Sequence, residues 1–116
     1  MKDSPLNVHF VRLATFERAA KGIFSDDVER KMEQDIATDP GAAPVVKGTG
    51  GVQKIRVALE GRGKRGSARV IYLYIADAET IYLLWAFPKN VSDNLTDVER
   101  KIIRKLVTSL KAEHER

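Results

Sequence analysis

The chain has 116 residues and a mass of 13.0 kDa, which suits one domain over residues 1–116 and leaves no room for a second core. It is 43% hydrophobic and 31% charged, carries a net charge of +4 and contains no cysteine, which excludes disulfides, thiolate catalysis and cysteine-ligated zinc. No apolar run approaches the roughly 20 residues of a membrane span, and no secretion signal is expected from the opening Met1-Lys2-Asp3-Ser4-Pro5. A protein of the reducing cytoplasm with no membrane partner is expected.

Residues 6–13 include β-branched and aromatic residues and predict a first strand. Thr15 is placed to cap a helix whose apolar positions are Phe16, Ala19, Ala20 and Ile23. Ser25 opens a second helix, with Asp26 and Asp27 at the positive end of its dipole and Val28, Met32 and Ile36 as its apolar stripe. Asp39-Pro40-Gly41 stops that helix, and residues 41–51 form a glycine-rich loop.

Three strands follow. Over 52–59, Ile55, Val57 and Leu59 alternate with Lys54, Arg56 and Ala58, so the two cations share one face. Residues 60–66 connect this strand to 67–76, and Asp77-Ala78-Glu79 turns into 80–87. The last two strands are apolar on both faces and belong in the middle of the sheet. Thr96 and Glu99 form a capping box for a final helix. Its residues Val98, Ile102, Ile103, Leu106, Val107 and Leu110 make a stripe that should cover the sheet. The charged tail 111–116 is expected to fray. The order β-α-α-β-β-β-α, with three strands on short turns, predicts an α+β fold with an antiparallel-rich sheet and helices packed on it.

Charge is concentrated in the middle of the chain. Between residues 47 and 72, seven cations face one acid, a local net of +6 that leaves the remainder at −2. Clustered cations attract a polyanion, and nucleic acid is the usual candidate. Gly61-Arg62-Gly63-Lys64-Arg65-Gly66 suits an anion, because glycine admits close backbone approach. The same loop joins two strands, so it is no P-loop, and a solvated hairpin accounts for it equally. Lys54, Arg56 and Arg69 form a second candidate, a cationic sheet surface able to hold phosphate, with solvent-facing strand residues as the plain alternative. At Phe87-Pro88-Lys89-Asn90, Lys89 could touch phosphate and Phe87 or Trp85 could stack on a base. Trp85 and Phe87 share parity with Ile81 and Leu83, which points instead to packing against the final helix. Asp26/Asp27, Asp77/Glu79 and Asp97/Glu99 serve as dipole partners, turn formers or caps. His9 and His114 have no evident partners and are too far apart for a histidine-led metal site. No metal and no cofactor is expected.

Gly48-Thr49-Gly50-Gly51-Val52-Gln53-Lys54-Ile55-Arg56-Val57-Ala58 resembles a segment of the HigB branch of RelE-type toxins. The likeness continues through Gly61–Gly66, Ala68-Arg69-Val70-Ile71-Tyr72, Tyr82-Leu83-Leu84, Phe87-Pro88-Lys89-Asn90 and Asp93-Asn94-Leu95-Thr96. It covers the chain from about Pro40 onward. The resemblance implies a RelE-like domain and the toxin of a type II toxin–antitoxin pair, cutting mRNA on the translating ribosome by attack of a ribose 2′-hydroxyl. Its partners would be the ribosome, mRNA and a cognate antitoxin, of the helix-turn-helix type. By position, Lys54 or Arg56 would accept the proton or hold phosphate, Arg69 would stabilise phosphate charge, and Lys89 would serve the leaving group or the transition state. Lys47, Arg62, Lys64, Arg65 and Phe87 would bind RNA. The chain departs from its relatives at Pro88 and Val91, and no tyrosine follows Tyr82. The second reading is a non-cleaving RNA- or ribosome-binding module of the same fold.

Overall fold

In chain order the elements are β1 (His9–Arg12), α1 (Ala14–Lys21), α2 (Asp26–Thr38), β2 (Gln53–Ala58), β3 (Ser67–Ile75), β4 (Thr80–Pro88) and α3 (Asp97–Glu113). The structure is a computed structural model that describes residues 7–59, 66–88 and 94–115. The strands form one sheet in the order β1-β4-β3-β2, antiparallel from β2 through β4, with β1 parallel to β4. The expected order and α+β class are both observed, and the two apolar strands β3 and β4 occupy the interior of the sheet. Parallel pairing of β1 follows from the long α1–α2 crossover that precedes the antiparallel strands.

Helices cover both faces. Phe16 and Ala20 of α1 and Val28, Met32 and Ile36 of α2 pack on Val57, Val70, Tyr72, Ile81 and Leu83. Ile103, Val107 and Leu110 of α3 pack on Ile71, Leu73, Tyr82 and Leu84. Ser25 accepts a hydrogen bond from the Val28 amide, and Thr96 and Glu99 form the full capping box.

Several local expectations change. The N-cap of α1 is Leu13, because the Thr15 hydroxyl donates to the Leu84 carbonyl at 2.6 Å and ties the helix to β4. The stripe of α3 is narrower than its periodicity suggests: Val98 and Ile102 are 67% and 61% exposed. The end of α3 is also anchored. His114 shares a 2.7 Å hydrogen bond with the Tyr82 hydroxyl, and Lys111 Nζ donates to the Gly50 carbonyl at 2.8 Å. On β1, the Arg12 guanidinium lies over the Phe16 ring and pairs with Glu17, Glu29 and Glu33, joining the sheet edge to both helices.

The register between β3 and β4 shifts once, so that Ile71 faces Trp85 while Tyr72 faces Leu83. The extra residue in β4 is Leu84. A bulge of this kind re-aims every side chain beyond it. Ile81 and Leu83 therefore pack with α1 and α2, whereas Trp85 and Phe87 pack on the α3 side. Their shared parity in sequence does not survive the bulge.

The loop before β2 is held tightly. Buried Thr49 donates to the Val46 carbonyl and accepts from the Val52 amide, while Gly48, Gly50 and Gly51 adopt positive φ. A Cβ on Gly50, at φ +87°, would meet Val107 Cγ1 at 3.1 Å. Gly50→Ala combines left-handed strain with a clash against α3 and should cost about 1–3 kcal/mol. Gly41→Ala, whose Cβ would meet nothing within 4 Å, serves as the control. Urea unfolding of the two variants should give a lowered midpoint for Gly50→Ala alone.

Candidate nucleic-acid interface

Strand register brings the central cations together. Arg56 on β2 lies opposite Arg69 on β3, which lies opposite Phe87 on β4. One step along the sheet, Lys54 lies opposite Ile71, which lies opposite Trp85. Because Ile71, Trp85 and Phe87 belong to the cluster beneath α3, alternation puts Lys54, Arg56 and Arg69 on that same face. Arg56 is exposed, and Lys54, Arg69 and Trp85 are partly exposed. Arg104 and Lys111 of α3 donate to the Gly48 and Gly50 carbonyls, and His114, just past its end, meets Tyr82. Three cations thus sit on adjacent strands at one end of a sheet face, a spacing suited to successive oxygens of a nucleic-acid backbone.

The other expected residues distribute differently. Phe87 is 5% exposed and its ring centroid lies 5.2 Å from that of Trp85, so Trp85 offers the more accessible ring surface of the pair. Lys47 is exposed on the loop beside Gly48, separate from the strand cations. Arg62, Lys64, Arg65 and Lys89 lie outside the described residues, as do Val91 and the loop 60–65.

Residues that the sequence reading left unassigned extend the basic surface. Gly48 lies beside Arg100, whose Cδ would be 3.4 Å from a Cβ built there, and its carbonyl accepts from Arg104 Nη1 at 3.3 Å. Lys47 is therefore continued by cations of α3, where Lys101 and Lys105 are also exposed. The paired spacing Arg100-Lys101 and Arg104-Lys105 was the available signal; the apolar positions of the same helix drew attention away from it.

None of the three tyrosines stands in the cationic rows. Tyr72 points to the opposite face, where its hydroxyl donates to the Pro40 carbonyl at 2.8 Å beside Gln53, which donates to the same oxygen. Burial, reinforced by the negative charge of Asp39, pushes the Tyr72 phenol up to about 12. Tyr74 packs with the α1–α2 cluster. Tyr82 is engaged with His114, and its phenol is raised by burial and by Glu113.

Like charges directly opposite on neighbouring strands destabilise a sheet. Arg56→Gln should therefore leave the fold as stable or raise it by a few tenths of a kcal/mol, while weakening RNA binding. Thermal unfolding and a salt-dependent RNA binding assay on the same preparation read both effects. A variant that loses stability and keeps its RNA affinity would show that Arg56 is a structural residue.

A family model described as "RelE toxin of RelE / RelB toxin-antitoxin system" matches residues 6–116. Among solved structures, the chain is similar to a mutant of the E. coli toxin RelE in the free state, in which two arginines are replaced by alanine. The two share 16% identity and a TM-score of 0.50, over 73% of this chain and 86% of that chain. At that identity the likeness concerns the fold.

Proposed function

The chain belongs to the RelE toxin family, and from that premise we propose that it is the endoribonuclease of a toxin–antitoxin pair, of the HigB branch, cutting mRNA on the translating ribosome. The observation that carries the proposal is the alignment of Lys54, Arg56 and Arg69 on one sheet face through the strand register. Its partners are the ribosome with its mRNA and an antitoxin of the helix-turn-helix type.

In this reading the nucleophile is the RNA's own 2′-hydroxyl, the group that distinguishes RNA from DNA. Its oxygen bonds to the adjacent phosphorus, its proton leaves to a base, and the bond to the 5′-oxygen of the next nucleotide breaks. Arginine stays protonated in proteins, whereas a lysine ammonium can give up its proton, so Lys54 is the better proton acceptor of the β2 pair. Arg56 and Arg69 hold the phosphate, and the planar fork of Arg69 meets two of its oxygens as negative charge grows. Lys89 is assigned to the leaving oxygen by its position after β4.

The departures bear on a second reading, an RNA- or ribosome-binding module that does not cut. No tyrosine follows Tyr82, and the three that exist are engaged or point elsewhere. A cutting chain must therefore protonate the leaving group with a cation or through the ribosome.

Arg69→Ala should lower the cleavage rate about 10²–10³-fold, the usual effect of removing one preorganised donor at a developing oxyanion. Growth arrest after induction should be lost with it, and Arg69→Lys should restore little because the fork is gone. Mapping of mRNA ends after brief induction reads the result. A folded Arg69→Ala chain that arrests growth and cuts mRNA at the parental rate would remove Arg69 from the mechanism, and a parent that arrests growth with intact mRNA would favour the binding module.

A further inference from the structure

Between the end of α2 and the outer side of the edge strand β2 lies a cleft of about 290 Å³. Its walls are Ile36 of α2, Pro44 of the following loop and Ile55 of β2, with two carboxylates, Asp35 and Asp39, on the helix side. Lys54 and Arg56, two of the cations assigned above to phosphate, border the same cleft. This volume is at the small end for ligand sites and suits a single planar ring system rather than a larger molecule.

We propose that this cleft receives the base of a nucleotide flanking the cut and favours bases bearing an exocyclic amino group over uracil; this rests on the ribonuclease reading above. The phosphate would stay at the cations on the rim while the base turns over the edge of β2 against Ile55, Ile36 and Pro44. A base edge then meets carboxylate oxygens, which only accept hydrogen bonds. Adenine, cytosine and guanine each present an amino donor to such an acceptor. Uracil has carbonyl oxygens where adenine and cytosine carry the amino group, and these are repelled by a carboxylate.

Two further features fit a nucleotide at this edge. Asp35 is already paired with Lys31 at 3.3 Å, which makes Asp39 the principal acceptor. The Lys54 amide donates to the Pro44 carbonyl at 3.0 Å, closing one end of the edge. Strand alternation then turns the Arg56 amide and carbonyl to the same outer side, where β2 has no neighbouring strand among the described residues. A backbone donor and acceptor therefore stand beside the carboxylates, both able to contact a base edge. A carboxylate pair would repel a phosphate, and it is the cations on the rim that turn the argument toward a nucleotide held by both its charge and its base.

The test is base-resolved mapping of cut sites after brief induction of the full chain, comparing the parent with Asp39→Asn and Ala42→Trp. Asparagine keeps the shape of aspartate but offers a donor as well as an acceptor. Tryptophan at the exposed Ala42 fills the cleft from its rim. In the parent, uracil should be depleted at one fixed position beside the cut, by roughly five- to tenfold, the discrimination typical of one well-placed hydrogen-bonding contact to a base. Both variants should bring uracil back toward its frequency in the transcripts. A parent that cuts with uracil unselected at every position, or an Asp39→Asn chain that keeps the full depletion, overturns the proposal while leaving the ribonuclease reading intact. A parent that cuts no RNA overturns both. If the variants change only neutralisation by the antitoxin and leave base frequencies as they were, the occupant is a protein segment and the proposal fails.

Discussion

Two arginines at opposed register positions, Arg56 on β2 and Arg69 on β3, are the constraint that the pairing of these strands has to accommodate. They are held because the other face of the same strands is buried. Ile55, Val57, Val70 and Tyr72 all pack toward α1 and α2. A slip of one residue would turn that apolar set outward and the cations inward, so the core on one face enforces the charge on the other. The bulge at Leu84 completes the arrangement by bringing Trp85 and Phe87 onto the cationic face.

Charge divides the molecule in the same way as packing. From residue 14 to residue 39, across α1 and α2, seven acids outnumber four cations. The exposed side of α3 and the loop before β2 carry Lys47, Arg100, Lys101, Arg104 and Lys105, a second basic area apart from the strand cations. A polyanion is attracted to one side and repelled from the other, which orients an encounter before any contact forms. Arg12 lies on the acidic side, but three carboxylates surround it, so it adds little to the outward field. The cleft beside β2 lies where the two surfaces meet, which explains why it is lined by carboxylates and cations together.

What could be read in the sequence was what depends on neighbours in sequence. Alternation in β2 announced both its buried face and its cationic one, and Thr96 with Glu99 announced the start of α3. Interior placement of β3 and β4 followed from their two apolar faces. What could not be read depends on contacts between distant elements. Thr15 has the chemistry of a cap, and only the nearby Leu84 carbonyl draws it away. Val98 and Ile102 keep helical spacing, yet they lie too far round α3 to reach the sheet. His114 finds Tyr82 only because the end of α3 is brought against the sheet. Trp85 and Phe87 do pack on the α3 side as expected, although it is the bulge, which leaves no mark in an apolar strand, and not parity with Ile81 and Leu83 that puts them there. Asp39 reads only as part of the helix stop, and Asp35 carries no signal of its own, until α2 is folded against β2. The cations of the site were legible as residues, whereas their alignment across strands required the register.

The central claim is that the cationic sheet end acts on the RNA's own 2′-hydroxyl. The most direct measurement is the chemistry of the product ends from a programmed ribosome complex treated with the purified chain. The account requires a 2′,3′-cyclic phosphate, or the 3′-phosphate formed when it opens, on the upstream fragment and a 5′-hydroxyl on the downstream one, with no cutting where the nucleotide at the site is 2′-deoxy. Upstream 3′-hydroxyl and downstream 5′-phosphate ends, with the 2′-deoxy site cut as readily, would mean that water is the nucleophile and would contradict it.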